Sequence, residues 1–344
     1  MARSCAGNDA LQMLVSNQPL VSVLLPVYNG AGFLQGGIES ILSQSYRNIE
    51  LIIINDGSND DSAKIISKFK DPRIRVYHQE NQGLAATLNR SINLAKGEYL
   101  ARQDQDDLSL TQRLEKQVSF LDAHPSCGMV GGWAEIWVGN VRSERIHQHP
   151  TESPHLKYDL LFDNPFVHSS VMLRKSVCET VGLYSTDKAR QPPEDYELWS
   201  RVARHFEVAN IPEVLLVYRE VPNSMSRAGM SPFLDRVINI SVENLLWATG
   251  RKFPDRDVID LAALNHAAYQ RVSHRPSLRK LSRILFEAAE KLSDAHSSSS
   301  NALRERAQVR FAAIRRHYVR HTRAKGLRRG LVDLVRAMKR VVVG

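Results

Sequence analysis

Apolar residues in the first hundred positions form two kinds of stretch, which follow one another along the chain. Short runs such as Val21–Pro26 and Ile49–Ile54 are almost continuously apolar, as buried parallel strands usually are. Strands that alternate with helices of about 10 to 15 residues predict an α/β fold with right-handed crossovers and a mostly parallel sheet flanked by helices. The same two patterns predict further strands at Arg73–Tyr77 and Glu98–Ala101, and helices at residues 31–44, 61–69 and 84–95.

After residue 110 the pattern is less regular. It predicts a helix over Leu110–Ala123 and a strand over Met129–Val138, whereas Arg142–His155 is interpreted as a polar segment. A helix at Tyr196–His205 and a last strand at Val214–Arg219 follow. These elements complete one α/β domain.

Beyond residue 228 the apolar spacing is helical throughout. We therefore predict an N-terminal extension (1–19), an α/β domain (20–228, with halves of about 20–110 and 111–228) and a helical, basic C-terminal region (229–344). A flexible serine run at Ser297–Ser300 separates two of its helices. The predicted helices are Pro232–Thr249, Val258–Val272, Ser277–Asp294, Ala302–Arg323 and Leu327–Val343.

The net charge of +9 lies almost entirely in the tail. Residues 301–344 hold 13 Lys or Arg and two acidic residues, net +11, which leaves 33 basic and 35 acidic residues, net −2, in residues 1–300. A nucleic-acid-binding surface over the main body is therefore not supported. No stretch approaches the roughly 20 apolar residues of a transmembrane helix, and the three cysteines lack metal-ligand spacing, so we expect a cytoplasmic protein.

Three aspartates, Asp104, Asp106 and Asp107, stand within four residues after the strand Glu98–Ala101. Carboxylates so close together repel one another, and in a cleft they favour a bound cation. Oxygen ligands at a strand end suit Mg²⁺ or Mn²⁺, which is usually held by one or two carboxylates plus substrate phosphates, so a diphosphate is the implied partner. The alternative is a solvated turn in which Asp107 or Ser109 caps the next helix.

Two other polar motifs follow strands of the same predicted sheet. Ligands of parallel sheets bind beyond the carboxyl ends of the strands, which is where these motifs lie. Asp56 is either a turn residue before Gly57 or a carboxylate that accepts the N3–H of uracil or thymine. Tyr28 either packs against a base or ribose or shields the sheet edge. Their convergence favours a nucleotide site.

Six motifs in this order resemble the nucleotide-sugar half of a family 2 glycosyltransferase with the GT-A fold, over about residues 20–220. They are Pro26-Val-Tyr-Asn-Gly, Ile41-Leu-Ser-Gln-Ser-Tyr, Ile54-Asn-Asp-Gly-Ser, Glu80-Asn-Gln-Gly-Leu, Lys96-Gly-Glu-Tyr and Asp104-Gln-Asp-Asp. The resemblance implies a GT-A-type, Rossmann-like sheet with nucleotide-sugar and acceptor halves, and sugar transfer from a nucleotide diphosphate with inversion. It assigns donor binding to Pro26, Tyr28, Asp56, Asp104 and Gln105, and metal binding to Asp104 and Asp106.

The resemblance also assigns the chemistry at Glu194-Asp195, which precedes a Trp-bearing helix. It implies that Asp195 is the base that deprotonates the acceptor hydroxyl and that Glu194 helps to hold the acceptor. The simpler interpretation is that Asp195 caps the helix. His168 either lines the acceptor side or is a buried structural histidine, and Arg113 either lies near the site or only solvates its helix, which we prefer.

The last predicted helix carries leucines and valines on one face and arginines around them, such as Leu331, Leu334, Arg328 and Arg336. This pattern is typical of a helix that lies on an anionic membrane, although packing on the domain would explain it too. It would suit a lipid-linked acceptor, while a saccharide acceptor is also open. Two rival functions are a sugar nucleotidyltransferase and a non-catalytic carbohydrate- or membrane-binding protein.

Overall fold

The computed structural model describes residues 18–221, 230–273, 275–293 and 300–342, with backbone alone for residues 230, 231 and those beyond 324. Most of the predicted N-terminal extension and Ser297–Ser299 of the predicted serine linker lie outside these residues. The chain divides into two compact units. The first runs to Leu160 and resumes over 164–230; the second comprises residues 161–163 and those from 231 on.

The described residues of the first unit form one nine-stranded sheet in the order β3-β2-β1-β4-β8-β6-β9-β5, with β7 paired to β6. The sheet is parallel through β3-β2-β1-β4 and mixed beyond β4. The strands are β1 (Val21–Val27), β2 (Ile49–Asp56), β3 (Ile74–Gln79), β4 (Tyr99–Arg102), β5 (Leu108–Ser109), β6 (Cys127–Val138), β7 (Val141–His147), β8 (Met172–Arg174) and β9 (Glu207–Glu220).

The register of the parallel strands gathers their carboxyl ends at one edge. Val27 at the end of β1 pairs with Asn55 of β2, and Asp56 pairs with Gln79 of β3. On the other side of β1, Leu24 pairs with Arg102, the last residue of β4. The segments that follow β1, β2 and β4 therefore leave the sheet side by side, as the sequence predicts.

Helices pack on both faces of this sheet because its central strands are apolar on both. Every residue of β1 and β2 is buried, and Leu34, Ile38 and Leu114 from two helices join the same core. Burial of each such side chain stabilises the fold by about 1.5 to 3 kcal/mol. The helices of this unit are α1 (Leu34–Leu42), α2 (Ser62–Ile66), α3 (Leu84–Leu94), α4 (Arg113–Ala123), α5 (Ser153–Asp159), α6 (Lys175–Val181) and α7 (Glu194–His205), with a 3₁₀ turn at His168–Ser170.

Arg142–His155 is polar, as predicted, but the strand that it contains was not predicted. Its first part is β7, which pairs with β6 through Ala134 and His147, and its end enters α5. The strand was missed because β7 is a largely exposed edge strand with polar side chains on both faces. An edge strand of this kind has little apolar alternation for a sequence pattern to detect.

The second unit is helical and consists of α8 (Met230–Thr249), α9 (Arg256–Asn265), α10 (Leu278–Ser293) and α11 (Ser300–Val342). Leu281, Ile284 and Leu285 of α10 are buried, as its helical spacing predicts. The separate helices predicted at Ala302–Arg323 and Leu327–Val343 were wrong, because α11 is continuous. Gly326 costs a helix only about 1 kcal/mol relative to alanine, and the alanine, lysine and arginine residues around it favour helix.

The predicted membrane-facing side chains of the last helix lie outside the described side chains. In the part of the chain that the structure describes, none of the helices combines the length and the apolar character needed to cross a bilayer.

Candidate active site

The segment after β4, residues 103–107, is called the acidic loop below. It closes around the buried side chain of Gln103, whose Nε2 donates to the carbonyl oxygens of Asp104 (3.0 Å) and Asp107 (2.8 Å). The Oε1 atom of Gln103 accepts a hydrogen bond from Ser109 Oγ at 2.6 Å. The backbone of the loop is therefore fixed from within.

Asp104 is held by two neighbours. Arg102 forms an ion pair with one carboxylate oxygen, and Ser169 Oγ donates to the other. Burial tends to raise the pKa of Asp104, but the positive charge of Arg102 and these hydrogen bonds lower it below its usual value. Asp104 therefore stays ionised at neutral pH, with both oxygens engaged by the protein.

Asp107 is a structural residue of the loop. Its side chain is fully buried, lies within hydrogen-bond distance of Ser169 Oγ and accepts a hydrogen bond from the backbone N–H of Arg219 on β9 at 2.8 Å. Burial, followed by the charges of Asp104 and Asp106, raises its pKa well above the usual value. Asp107 thus fastens the acidic loop to the opposite strand and is not a helix cap.

Asp106 differs from both neighbours because no side-chain hydrogen bond or ion pair engages its carboxylate within the described ranges. Burial and the charge of Asp104 raise its pKa to about 6. The described residues contain no group of three His, Cys, Asp or Glu side chains that could hold a metal. The carboxylates of Asp104 and Asp106, whose oxygens can accept more than one bond each, nevertheless fit Mg²⁺ or Mn²⁺, which takes its remaining ligands from water and substrate phosphates.

The preferred interpretation of Arg113 as a solvated residue was wrong. Its side chain is fully buried beneath the acidic loop, where it donates to Gln103 Oε1 (3.1 Å), Ser109 Oγ (2.7 Å) and the carbonyl oxygen of Arg102 (2.7 Å). Burial lowers its pKa to about 9, so it remains charged at neutral pH. Arg113 supports the loop from below.

The loop after β1 is tied to the acidic loop by one amide. Gln105 Oε1 accepts from the backbone N–H of Tyr28 (2.9 Å), and Gln105 Nε2 donates to the Tyr28 carbonyl oxygen (3.0 Å). The Tyr28 side chain is 47% exposed, while Pro26 is buried within β1. A Cβ at Gly30 would meet Gln105 Oε1 at 2.2 Å, so any larger residue there would displace the Gln105 amide from its present position. Two predicted donor-binding segments therefore form one surface.

Asp56 lies at the end of β2 and is buried. Its Oδ1 accepts from Gln79 Nε2 (2.6 Å) and the backbone N–H of Gln82 (2.9 Å), and its Oδ2 accepts from the backbone N–H of Gly83 (2.9 Å). The carboxylate thus fixes the loop before α3. Because Oδ2 accepts a single protein hydrogen bond, it retains a lone pair for another donor.

Glu194 and Asp195 are the first two residues of α7, and Pro193 occupies the N-cap position without a side-chain cap, so Asp195 does not cap the helix. Asp195 Oδ2 accepts from Asn164 Nδ2 at 2.8 Å, and Oδ1 accepts from the backbone N–H of Tyr196 at 2.8 Å. Glu194 is buried, and burial together with the charge of Asp195 raises its pKa to about 7. The pair presents one oriented and one largely desolvated carboxyl group.

His168 lies between the two acidic groups. Its Nε2 accepts from Arg102 Nε (3.3 Å) and lies 3.1 Å from Tyr184 Oη, and its ring contacts Trp199 edge-on. Burial and Arg102 lower its pKa to about 4, opposed by the charges of Asp195 and Asp104. His168 is therefore a neutral residue within electrostatic range of both carboxylates, and it brings the two distant motifs to one cleft.

Sequence reasoning missed four residues around this cleft: Arg102, Asn164, Ser169 and Arg219. Arg102 is the last residue of β4, and Arg219 lies near the end of β9. An arginine at the end of a strand is usually exposed to solvent, yet both of these are buried. The one available signal was the position of Arg102 directly after an apolar run, where it pairs with the apolar Leu24 in the middle of the sheet. Asn164 and Ser169 lie in irregular segments that carry no periodic pattern.

Comparison with known proteins defines the class to which this fold and cleft belong. Residues 22–182 match the model of glycosyl transferase family 2. An uncharacterized glycosyltransferase of Haemophilus influenzae is 31% identical over 286 residues, or 79% of this chain and 86% of the relative. The chain therefore belongs to glycosyl transferase family 2 and is a transferase.

Other similar proteins add detail. EpsE of Bacillus subtilis (strain 168), a provisionally assigned glycosyltransferase, is 36% identical over 230 residues, 65% of this chain and 81% of EpsE. S. aureus TarS 1-349 in complex with UDP-GlcNAc is similar with a TM-score of 0.59 and 16% identity, over 89% of this chain and 92% of that one. The mannosyltransferase PcManGT from Pyrobaculum calidifontis, in complex with GDP-Man and Mn²⁺, is similar with a TM-score of 0.51 and 18% identity, over 87% of this chain and 87% of that one. These likenesses confirm the predicted GT-A fold with its helical C-terminal part.

Proposed function

We propose that this enzyme transfers a sugar from a UDP-, dTDP- or GDP-sugar to an acceptor hydroxyl with inversion, with a divalent metal at Asp104 and Asp106 and with Asp195 as the base. The observation that carries the proposal is a run of contacts from Asp104 through Arg102 to His168, whose ring contacts Trp199 of α7. These contacts support a common cleft for the acidic loop and the start of α7. A transfer site requires this arrangement, because the donor diphosphate and the acceptor must approach one anomeric carbon from opposite sides.

The donor side is supported by the edge where β1, β2 and β4 end. The free lone pair on Asp56 Oδ2 suits the N3–H of uracil or thymine, and guanine offers donors to a carboxylate as well. The exposed ring of Tyr28 suits the base or ribose. Because Gln105 engages only the Tyr28 backbone, it contributes to donor binding by fixing that loop.

The metal proposal rests on the unequal state of the three aspartates. Asp106 has the free carboxylate and would be the direct ligand, while Asp104, engaged by Arg102 and Ser169, would contribute from a fixed position. When bound, Mg²⁺ or Mn²⁺ neutralises charge that develops on the leaving diphosphate. The binding of Mn²⁺ by PcManGT agrees with this proposal.

The acceptor side is supported by Asp195. Its carboxylate is oriented by Asn164 and by the Tyr196 backbone, and it lies at the N-terminus of a helix, where a negative charge is favoured. Asp195 accepts the proton that the acceptor hydroxyl loses as its oxygen attacks the anomeric carbon. Glu194, whose pKa is about 7, would donate a hydrogen bond to the acceptor when protonated.

The acceptor is proposed to be a saccharide or a lipid-linked glycan used in cell-surface polysaccharide or glycoconjugate synthesis. We place the enzyme in the cytoplasm, at the cytosolic membrane face, because of the basic amphipathic sequence after residue 326. Binding to vesicles with and without anionic lipid tests this placement. Arg328→Glu with Arg329→Glu should abolish the anionic preference, whereas Arg315→Glu with Arg316→Glu, the same charge change earlier in α11, should weaken it less.

The donor site is tested by calorimetric titration of UDP, dTDP, GDP and CDP, each with and without Mn²⁺. We expect one of the first three to bind in the presence of Mn²⁺, and Asp106→Asn to lose that binding. Asp61→Asn is the matched control, because Asp61 is exposed and lies outside the cleft. Binding of no diphosphate, or binding that ignores both metal and mutation, would contradict the proposal and favour a non-catalytic binding protein.

A further inference from the structure

Arg219, near the end of β9, is joined to the acidic loop by two hydrogen bonds. Its backbone N–H donates to Asp107 Oδ1 at 2.8 Å, and its Nη1 donates to the carbonyl oxygen of Asp106 at 2.9 Å. The residue is only 7% exposed. A buried guanidinium thus lies directly beside the proposed metal ligand.

Two aromatic rings hold this guanidinium. Its Cζ lies 4.9 Å from the centroid of Phe33 and 5.8 Å from that of Trp137. Cation–π contacts of this kind are worth about 0.5 to 2 kcal/mol each, and they fix the plane of the group. The donors at the edge of that plane therefore point in set directions.

Most of these donors have no acceptor in the parts of the chain that the structure describes. Arg219 Nε is buried without a hydrogen-bond partner, and Nη1 donates only to Asp106. A guanidinium has five N–H donors, and burying a charged group with donors unused is costly. An anionic ligand with several oxygens would supply the acceptors that the protein does not.

We infer that Arg219 binds the diphosphate of the nucleotide-sugar donor through the N–H groups that the protein leaves unused. This inference rests on the proposed function. Phosphate oxygens match the planar fork of arginine, and Asp106 places the same diphosphate within reach through the proposed metal. The residue was not among those assigned from the sequence.

The role of Arg219 in the reaction follows from where the charge goes. The acceptor oxygen forms a bond to the anomeric carbon, the bond from that carbon to the β-phosphate oxygen breaks, and its electron pair stays on the diphosphate. The acceptor proton goes to Asp195. Arg219 donates to the phosphate oxygens that gain charge, which stabilises the leaving group.

The test compares each diphosphate with its own nucleoside. In titrations of UDP, dTDP and GDP with Mn²⁺, Arg219→Met should bind the diphosphate that the wild type binds at least about tenfold more weakly, a loss of about 1.4 kcal/mol. Affinity for the corresponding nucleoside should stay unchanged. Arg145→Met is the matched control, because Arg145 is an exposed arginine that pairs with Glu220, and it should change neither affinity.

Several results would overturn the inference. Equal losses for nucleoside and diphosphate, or no loss for either, would show that Arg219 does not contact the phosphates. A direct contact predicts that Arg219→Met keeps the wild-type dependence of diphosphate affinity on Mn²⁺ concentration, whereas loss of that dependence means that Arg219 acts only by positioning Asp106. If Arg219→Met does not fold, Arg219→Gln, which keeps a planar group between the rings, should show the same tenfold loss. A wild type that binds no diphosphate contradicts the proposed function itself.

Discussion

The acidic loop and the start of α7 both present carboxylates to the cleft, but they hold them by different means. In the loop, cations surround the aspartates: Arg102 pairs with Asp104, and Arg113 lies beneath the chain. At the start of α7, no ion pair of Glu194 or Asp195 is present in the part of the chain that the structure describes. An amide and a backbone N–H orient Asp195 instead.

The difference agrees with the roles that we propose for these carboxylates. Three aspartates within four residues repel one another, and the positive charge of Arg102 keeps Asp104 ionised. Asp106 is left for the proposed metal, because no other side chain engages its carboxylate in the part of the chain that the structure describes. A base must keep its affinity for a proton, which a paired arginine would reduce. Asp195 takes its fixed direction from hydrogen bonds with neutral groups.

The largest expected effect tests the α7 side of this comparison. Asp195→Asn should lower the rate of sugar transfer by about 10²- to 10⁴-fold, because the amide cannot accept the acceptor proton. Donor affinity should remain that of the wild type, since Asp195 belongs to the acceptor side. The measurement is a transfer assay beside a diphosphate titration. A variant that keeps its rate, or that loses donor binding instead, would contradict the role of Asp195.

The next effect tests the cations of the loop. Arg113→Met should reduce the free energy of unfolding by about 3 to 5 kcal/mol, because Gln103, Ser109 and the Arg102 carbonyl lose a buried donor. Urea unfolding measures the change. Arg145→Met, which removes an exposed ion pair, should cost no more than about 1 kcal/mol. Equal costs for the two variants would mean that the loop does not depend on its buried cation.

A third effect tests the buried carboxyl group of Glu194 through the pH dependence of the free energy of unfolding. The pKa of Glu194 is raised to about 7 in the folded protein. Between the pKa of this group in the unfolded chain and pH 7, the folded state therefore binds the extra proton, and the protein loses stability as the pH rises. A tenfold change in the acid dissociation constant corresponds to about 1.4 kcal/mol. Glu194→Gln should therefore match the wild type near pH 5 and exceed it near pH 8, as measured by urea unfolding at both values. A constant difference across this range would show that Glu194 has an ordinary pKa.

The smallest effect concerns the amide that joins the two donor loops. Gln105→Ala removes two hydrogen bonds to the Tyr28 backbone, each worth about 0.5 to 1.5 kcal/mol. We expect donor affinity to fall by about tenfold while the melting temperature changes little. Gln35→Ala, which breaks an exposed helical contact with Glu39, serves as control. Unchanged donor affinity would mean that the Tyr28 loop keeps its place without Gln105.

The strands and helices up to the end of β4 were predicted because their apolar patterns are long and unambiguous. The bounds of β1, β2 and α3 differ from the predicted ones by no more than a few residues. The misses have physical causes. The edge strand β7 is polar on both faces, and α6 is a short helix whose burial depends on distant segments. Such elements are stabilised by tertiary contacts, which local pattern does not record.

The candidate site was predicted in part for the same reason. Carboxylates that follow a strand are visible in sequence, so Asp104, Asp106 and Asp195 could be named. Their buried partners could not be, because an arginine on a helix normally faces water. Arg113 and Gln117 do occupy inward positions beside Leu114 and Val118, and polar residues within an apolar stripe were the available signal.

The hydrogen bonds of Gln105 restrict which residues can occupy the middle position of the motif that contains it. The pattern Asp-x-Asp leaves its middle position open, as if any residue served there. In this chain the middle side chain offers an acceptor to the backbone N–H and a donor to the backbone carbonyl oxygen of one residue, Tyr28. Glutamate lacks the donor, and asparagine is shorter by one methylene. A search of related sequences that asks for glutamine at this position together with glycine at position 30 would select chains built with the same two-loop surface.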